Sequence, residues 1–133
     1  KETARYSEKD TLDHVASVSY AIVLKKYRFK VGNIDLRLTM NDYMYYYGHI
    51  GYHIYYFCRG HRYAYKACLL LRKIAKEEFG MKELIITTDP DNLASLKTIQ
   101  RLNARFIEKV SVPKGHDLYK RKEKEKLIYK WVL

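Results

Sequence analysis

The strongest chemical signal in this chain is the turn Arg59-Gly60-His61-Arg62-Tyr63-Ala64. It follows an alternating apolar run and leads into a helical pattern with small residues on its first turn. The first turn of a helix presents unpaired N–H groups and the positive end of the peptide dipole, so the turn forms an anion site with phosphate as its expected guest. Residues 59–76 carry six Lys and Arg residues and no acidic one, which concentrates positive charge on this turn and its helix. Elsewhere, Tyr43, Tyr45, Tyr46, Tyr47, Tyr52, Tyr55 and Tyr56 form an aromatic run open to three readings. These rings can line a cleft for a mostly apolar ligand, stack on single-stranded nucleic acid, or simply pack on a sheet.

The elements that must position these residues follow from periodicity. Residues 18–24 alternate as Val18, Tyr20, Ile22 and Leu24 and read as a strand. Ile34, Leu36 and Leu38 mark a second strand, paired with the first through residues 25–30, and residues 48–56 form a third. A helix is expected from Arg62 to Phe79, with Ala64, Ala67, Cys68, Leu71, Ile74 and Ala75 on one face and Gly80 ending it. Residues 84–88 read as a buried strand. Asp89-Pro90-Asp91-Asn92 supplies turn and cap chemistry for a second helix to about Leu102. Residues 106–112 and 126–132 close the chain as strands, joined by a loop around residues 113–119. The expected order is β-β-β-α-β-α-β-β, an α/β (α+β) fold with a mixed, mainly antiparallel sheet flanked by helices.

At 133 residues and 47% hydrophobic composition, the chain 1–133 is expected to form one domain around one core. It begins without Met, so an N-terminal strand and helix can be lacking. No run nears the roughly 18 apolar residues of a membrane span, and KETARYSEKD has no apolar signal region. Cys58 and Cys68 have no zinc-ligand spacing and read as reduced packing thiols. A cytoplasmic protein with no metal and no membrane partner is expected. The net charge of +11 fits an anionic partner, although a Lys-, Tyr- and Ile-rich composition also follows from an AT-rich coding sequence. The run 120–126, KRKEKEK, alternates sign at its end and reads as a solvated turn.

The order of elements and the pieces GHIGY, RGHRYA, KACLLL, LIITTDPDN and Ser95-Leu96-Lys97-Thr98 resemble the GNAT superfamily of acyl-CoA-dependent N-acyltransferases over about residues 17–132. The likeness is to a bacterial branch of mostly unassigned substrate. The superfamily signature is Arg or Gln, two residues, Gly, one residue, then Gly or Ala. Arg59 and Ala64 fit it, whereas Arg62 stands where Gly is usual.

The resemblance implies acetyl-CoA as cosubstrate. Ile54 and Tyr55 would lie beside the pantetheine arm, and the amides of Gly60, His61, Arg62, Tyr63 and Ala64 would hold the pyrophosphate, with Arg59 adding charge. Gly60 allows a tight backbone path and Ala64 leaves the approach open. Arg62 places a Cβ beside the phosphate, weakening affinity or shifting the pose, while its guanidinium can hold a phosphate oxygen. Asn92 and Ser95 would contact the coenzyme, or serve as plain caps. Lys97 can reach a phosphate or remain solvated. The position of a Tyr that protonates the leaving thiolate in many members is Ile99, and the usual Gly after that helix is Asn103.

Acyl transfer needs an amine freed of its proton, a stabilised thioester oxygen and a leaving thiolate. His49 and His53 share a strand face with Gly51 between them, so either imidazole can accept the proton directly or through water. His116 and Tyr119 are candidates for substrate contact. The implied activity is acetyl transfer to a primary amine of a small molecule or peptide, by direct attack in a ternary complex, in a monomer or homodimer. The competing reading is a nucleic-acid-binding module of the same fold with little or no catalysis. A third joins the two, an enzyme whose acceptor is carried on RNA or on a nucleic-acid-bound protein.

Overall fold

The computed structural model describes residues 2–6 and 15–133. Residue 1 and residues 7–14, which include half of the amino-terminal stretch read above for a signal region, lie outside the described residues. Strand β1 (Glu2–Tyr6) is followed by β2 (Ser17–Leu24), β3 (Phe29–Arg37) and β4 (Ile50–Ile54). Helix α1 (Tyr63–Glu77), β5 (Glu83–Thr88), α2 (Leu93–Arg101), β6 (Arg105–Ser111), the short α3 (Asp117–Lys120) and β7 (Glu125–Val132) complete the order.

The α+β class expected from the sequence holds, with the strands divided between two sheets. One has the order β1-β2-β3-β4 and the other β5-β7-β6, and every pairing within them is antiparallel. Strand β1 was not expected, because Glu2-Thr3-Ala4-Arg5-Tyr6 lacks the apolar alternation that marks a half-buried strand. Its pairing with β2 supplies what its composition does not, and Arg5 ties it to the end of α1 through an ion pair with Glu78 at 2.7 Å and a place over the Phe79 ring. Helix α3 lies within the segment read as a loop. His116 caps it, its Nδ1 accepting from the Leu118 N–H at 3.1 Å.

The core lies where α1 and α2 cover the two sheets. Val18, Leu36, Leu71, Leu84 and Ile99 are fully or almost fully buried there, with Trp131 beside them. Ala67, Cys68, Leu71 and Ala75 form the buried stripe of α1 at the expected helical spacing. Burial pushes the Cys68 thiol up to about 12, as suits a packing residue.

Among the described residues, backbone hydrogen bonds join the two sheets at one place. An isolated bridge joins Gly48 to Ile86, and the His49 N–H donates to the Ile85 carbonyl at 2.8 Å. Gly48 is required here, since its φ is +76° and a Cβ would stand 2.7 Å from the Ile85 carbonyl oxygen. Among the described residues no other backbone hydrogen bond joins β4 to β5, so the two strands part beyond this contact.

Candidate active site

Beyond that contact a cleft of about 740 Å³ opens. The end of β4 supplies Tyr52, His53 and Ile54 to one wall, the start of α1 supplies Arg62, Tyr63 and Ala64, and the start of α2 supplies Asn92, Ala94 and Ser95. Arg59, Arg62, Lys97 and Arg101 line it and no acidic residue does. Such a surface attracts polyanions from a distance and holds them at contact.

The start of α1 is electrostatically open. Its N-cap, Arg62, makes no side-chain capping bond, and its first turn holds no acidic residue. The leading amides therefore keep their positive field for a ligand. Arg62 sits at φ +61° and ψ +27°, the left-handed region that Gly adopts freely and Arg rarely does. The same substitution recurs after α2, where Asn103, in the other usual glycine position, has φ +58°. In both places the backbone keeps a glycine-like path under a different side chain.

The sequence-derived coenzyme residues fall mostly on this cleft. Ile54, Arg59, Gly60, Arg62, Tyr63, Ala64, Asn92 and Ser95 line it, as does His53, whereas Tyr55 and His61 do not. Tyr55 donates its N–H to the Val31 carbonyl at 2.8 Å, and the Ile54 carbonyl accepts from Arg59 Nε at 3.1 Å. Those two backbone groups, expected to meet pantetheine, are thus engaged within the protein. His61 instead stacks on Tyr63 with ring centres 5.3 Å apart. Asn92 is a true N-cap, its Oδ1 accepting from the Ser95 N–H at 3.2 Å, and it faces the cleft as well. Arg101 and Thr98 were missed by sequence reading; one helical turn of spacing, from Ser95 to Thr98 and from Lys97 to Arg101, would have placed both on the cleft face of α2.

A second pocket of about 280 Å³ lies against the first, lined among others by Arg37, Tyr46, Tyr47, Arg121 and Glu123. Tyr52, Ser95 and Thr98 line both. The Tyr52 and Ser95 hydroxyls share a hydrogen bond of 2.6 Å at the boundary, and Thr98 donates to the Ala94 carbonyl of its own helix at 3.2 Å.

Two histidine candidates are reassigned by their contacts. His49 is buried, and its Nδ1 accepts the Ile85 N–H at 2.8 Å. A neutral imidazole has one acceptor nitrogen, and this one is spent on the backbone. Burial, aided by the Arg37 charge, holds the His49 pKa down at about 4. It is a structural joint, and this geometry gives it no lone pair for an amine proton. His116 is buried with both ring nitrogens engaged, by the Leu118 N–H and the Tyr43 carbonyl, and Tyr43 stacks on it at 4.1 Å. It fastens the tyrosine segment to α3. Tyr43 also donates to Asp117 and Tyr45 to Glu108, both at 2.6 Å, so these hydroxyls serve packing. Tyr46 and Tyr47 face the second pocket.

Among the described residues no cluster of three or more His, Cys, Asp or Glu side chains has metal-site geometry, and no helix is long and apolar enough to cross a membrane.

The α+β architecture, with β4 and β5 parted beside the uncapped start of α1, is that of solved acetyltransferase structures that superpose on this chain. A ribosomal-protein-S5-alanine acetyltransferase from Vibrio fischeri does so with a TM-score of 0.67 at 13% identity, covering 87% of this chain and 61% of its own. A GNAT-family acetyltransferase from Bacillus anthracis gives 0.67 at 17%, covering 86% and 65%. A ribosomal L7/L12 α-N-protein acetyltransferase in complex with coenzyme A gives 0.65 at 14%, covering 88% and 62%. The chain thus spans a little over three-fifths of the length of these structures. No curated protein sequence matches it significantly. The sequence pattern of the acetyltransferase (GNAT) domain matches residues 2–105, and the chain belongs to that family.

Proposed function

We propose that this protein is an acetyl-CoA-dependent N-acetyltransferase that moves an acetyl group to a primary amine by direct attack in a ternary complex. The observation that carries this reading is the meeting of two cavities. A cationic cleft at the uncapped start of α1 adjoins a smaller pocket across the hydroxyls of Tyr52 and Ser95. The cleft takes the phosphates and pantetheine, the pocket takes the amine, and the thioester lies between them.

Arg59, Arg62, Lys97 and Arg101 supply the charge that holds the phosphates, with amides of residues 60–64 beneath them. Acetyl-CoA, when bound, supplies an activated acyl group on a thiol leaving group. His53 is exposed and lines the coenzyme cleft but not the second pocket, so it serves the amine through water. A pocket of about 280 Å³ suits a side chain or chain terminus. Two structural neighbours act on ribosomal proteins by their descriptions, which supports a peptide or protein amine as acceptor. An acceptor held on RNA fits the charge of +11.

The test is titration of acetyl-CoA and of CoA into the purified protein by calorimetry at near-physiological salt, followed by an amine screen. Saturable micromolar binding, about −8 kcal/mol, is expected. If acetyl-CoA fails to bind while single-stranded RNA binds with a steep salt dependence, the non-catalytic nucleic-acid module is the correct reading.

A further inference from the structure

A thiolate that leaves a thioester must gain a proton, and the group that gives it must stand where the coenzyme cleft meets the acceptor pocket. Three side chains line both cavities, Tyr52, Ser95 and Thr98, and all three are hydroxyls. Thr98 spends its proton on the Ala94 carbonyl at 3.2 Å. Serine is an aliphatic alcohol and a far weaker acid than a thiol, whereas a phenol, with a pKa of about 10, lies close to one. Ile99, the next residue along α2, is 1% exposed within the core and carries no proton to give.

Tyr52 has the position as well as the chemistry. It pairs with Ile34 in the β3–β4 ladder, which fixes its backbone. Its ring is half-buried, and its oxygen reaches Ser95 Oγ at 2.6 Å. Ser95 in turn is set by the Asn92 cap on its own N–H at 3.2 Å. When Ser95 donates to the Tyr52 oxygen, the phenolic proton can turn to a third atom, with the neighbouring Thr98 hydroxyl oxygen as the competing acceptor within the protein.

We propose that Tyr52 is the general acid of acetyl transfer, donating its proton to the coenzyme sulfur, with Ser95 as the positioning residue that donates to the phenolic oxygen. This rests on the coenzyme reading given above. The amine nitrogen attacks the thioester carbon, forming a C–N bond and a tetrahedral intermediate with positive nitrogen. The C–S bond then breaks with its electron pair going to sulfur, sulfur takes the Tyr52 proton, and the nitrogen loses one proton to water. Tyr52 recovers a proton from solvent. Nothing is oxidised or reduced, and the net change is one proton moved from nitrogen to sulfur. Burial raises the Tyr52 pKa, which keeps the phenol protonated and ready across the neutral range.

The experiment needs no acceptor. CoA is bound to wild type, Tyr52→Phe and Ser95→Ala, and the bound thiol is titrated by its thiolate ultraviolet absorbance, with each protein's dethio-CoA complex as the blank that subtracts Cys58 and the tyrosines. A phenol donating to sulfur stabilises the thiolate, so Tyr52→Phe raises the titration midpoint by about one pH unit, tenfold in thiolate population. Ser95→Ala removes the bond that sets the phenol, so its midpoint rises as well, by less than that of Tyr52→Phe; a Ser95→Ala midpoint equal to that of wild type overturns the positioning role. The cleft cations are common to all three proteins and cancel. With an amine acceptor in hand, Tyr52→Phe lowers kcat about 100-fold while KM for acetyl-CoA holds within about threefold. Equal midpoints for wild type and Tyr52→Phe, with CoA bound to both, overturn the proposal and leave the coenzyme site standing. Failure of CoA to bind wild type overturns the coenzyme reading and the proposal with it.

Discussion

His49 and Ile85 hold the two sheets together with a reciprocal pair of hydrogen bonds, the His49 N–H to the Ile85 carbonyl and the Ile85 N–H to His49 Nδ1, each 2.8 Å. The imidazole stands in for the backbone carbonyl that a continuous ladder would have offered. The joint works only while that nitrogen is unprotonated, which makes it pH-sensitive with a definite sign. The folded pKa is about 4, below the ordinary histidine value of 6.5. The unfolded chain therefore binds the proton first as pH falls. The contribution is complete above about pH 6.5 and is lost progressively down to about pH 4, at most about 3 kcal/mol. His49→Asn places an amide oxygen near the Nδ1 position. Its thermal midpoint should stay close to wild type at pH 7.5 and lose part of the decline between pH 6.5 and 4. Acetyl transfer by His49→Asn should remain within about threefold of wild type; a loss of 100-fold or more would restore His49 as the base.

The left-handed Arg62 stores strain that glycine would release, about 1 kcal/mol, partly offset by the greater freedom of glycine in the unfolded chain. Arg62→Gly should raise the thermal midpoint by about 2–4 °C. It also removes a guanidinium from the cleft, so acetyl-CoA affinity should fall about fivefold in calorimetry. Tighter binding by Arg62→Gly would mean that the Arg62 Cβ obstructs the phosphate.

Ala64 faces the cleft from the first turn of α1. Ala64→Phe fills the approach to the leading amides and should abolish acetyl-CoA binding while the circular dichroism spectrum stays that of the folded protein. Unchanged affinity would move the pyrophosphate away from this turn.

Lys126 is 7% exposed and pairs with Asp89 at 2.6 Å and Glu123 at 2.9 Å. Burial alone would lower its pKa, but its bonds to the two carboxylates prevail and raise it. The charge therefore persists across the neutral range and anchors the 89–92 turn that leads into α2. Lys126→Met leaves two half-buried carboxylates without their partner and should cost about 3 kcal/mol in chemical denaturation. Asn92 begins α2 three residues after Asp89, so KM for acetyl-CoA should rise as well. A variant as stable as wild type would show that water serves the carboxylates equally well.

The legible parts of this fold were those written in short-range pattern. The α1 stripe from Ala67 to Ala75, the Asn92 cap and the β5 strand follow from spacing and cap chemistry alone, and each lies where local preference and tertiary packing agree. Strand β1 and the division into two sheets depend on long-range pairing, which Glu2-Thr3-Ala4-Arg5-Tyr6 does not advertise. Residues 59–64 could be singled out because backbone chemistry is local, and all but His61 of the six line the cleft. The histidines were harder. A strand histidine looks the same whether its nitrogen meets a substrate or the Ile85 amide, and only the fold brings residue 85 to residue 49. The place of Tyr52 between the two cavities was no easier to read, as one tyrosine among seven in a run whose separate fates are decided by what packs opposite.

The joint between β4 and β5 stands at the root of the cleft. From His49 to Ile54 the strand runs about 16 Å, at roughly 3.3 Å per residue. A rotation of about 5° at the joint would therefore swing the far end of β4 through about 1.4 Å, close to a carbon–carbon bond length, while moving the hydrogen-bonded atoms by only a small fraction of that. Substitutions at Gly48, His49 or Ile85 should therefore alter the width of the cleft without touching anything that enters it.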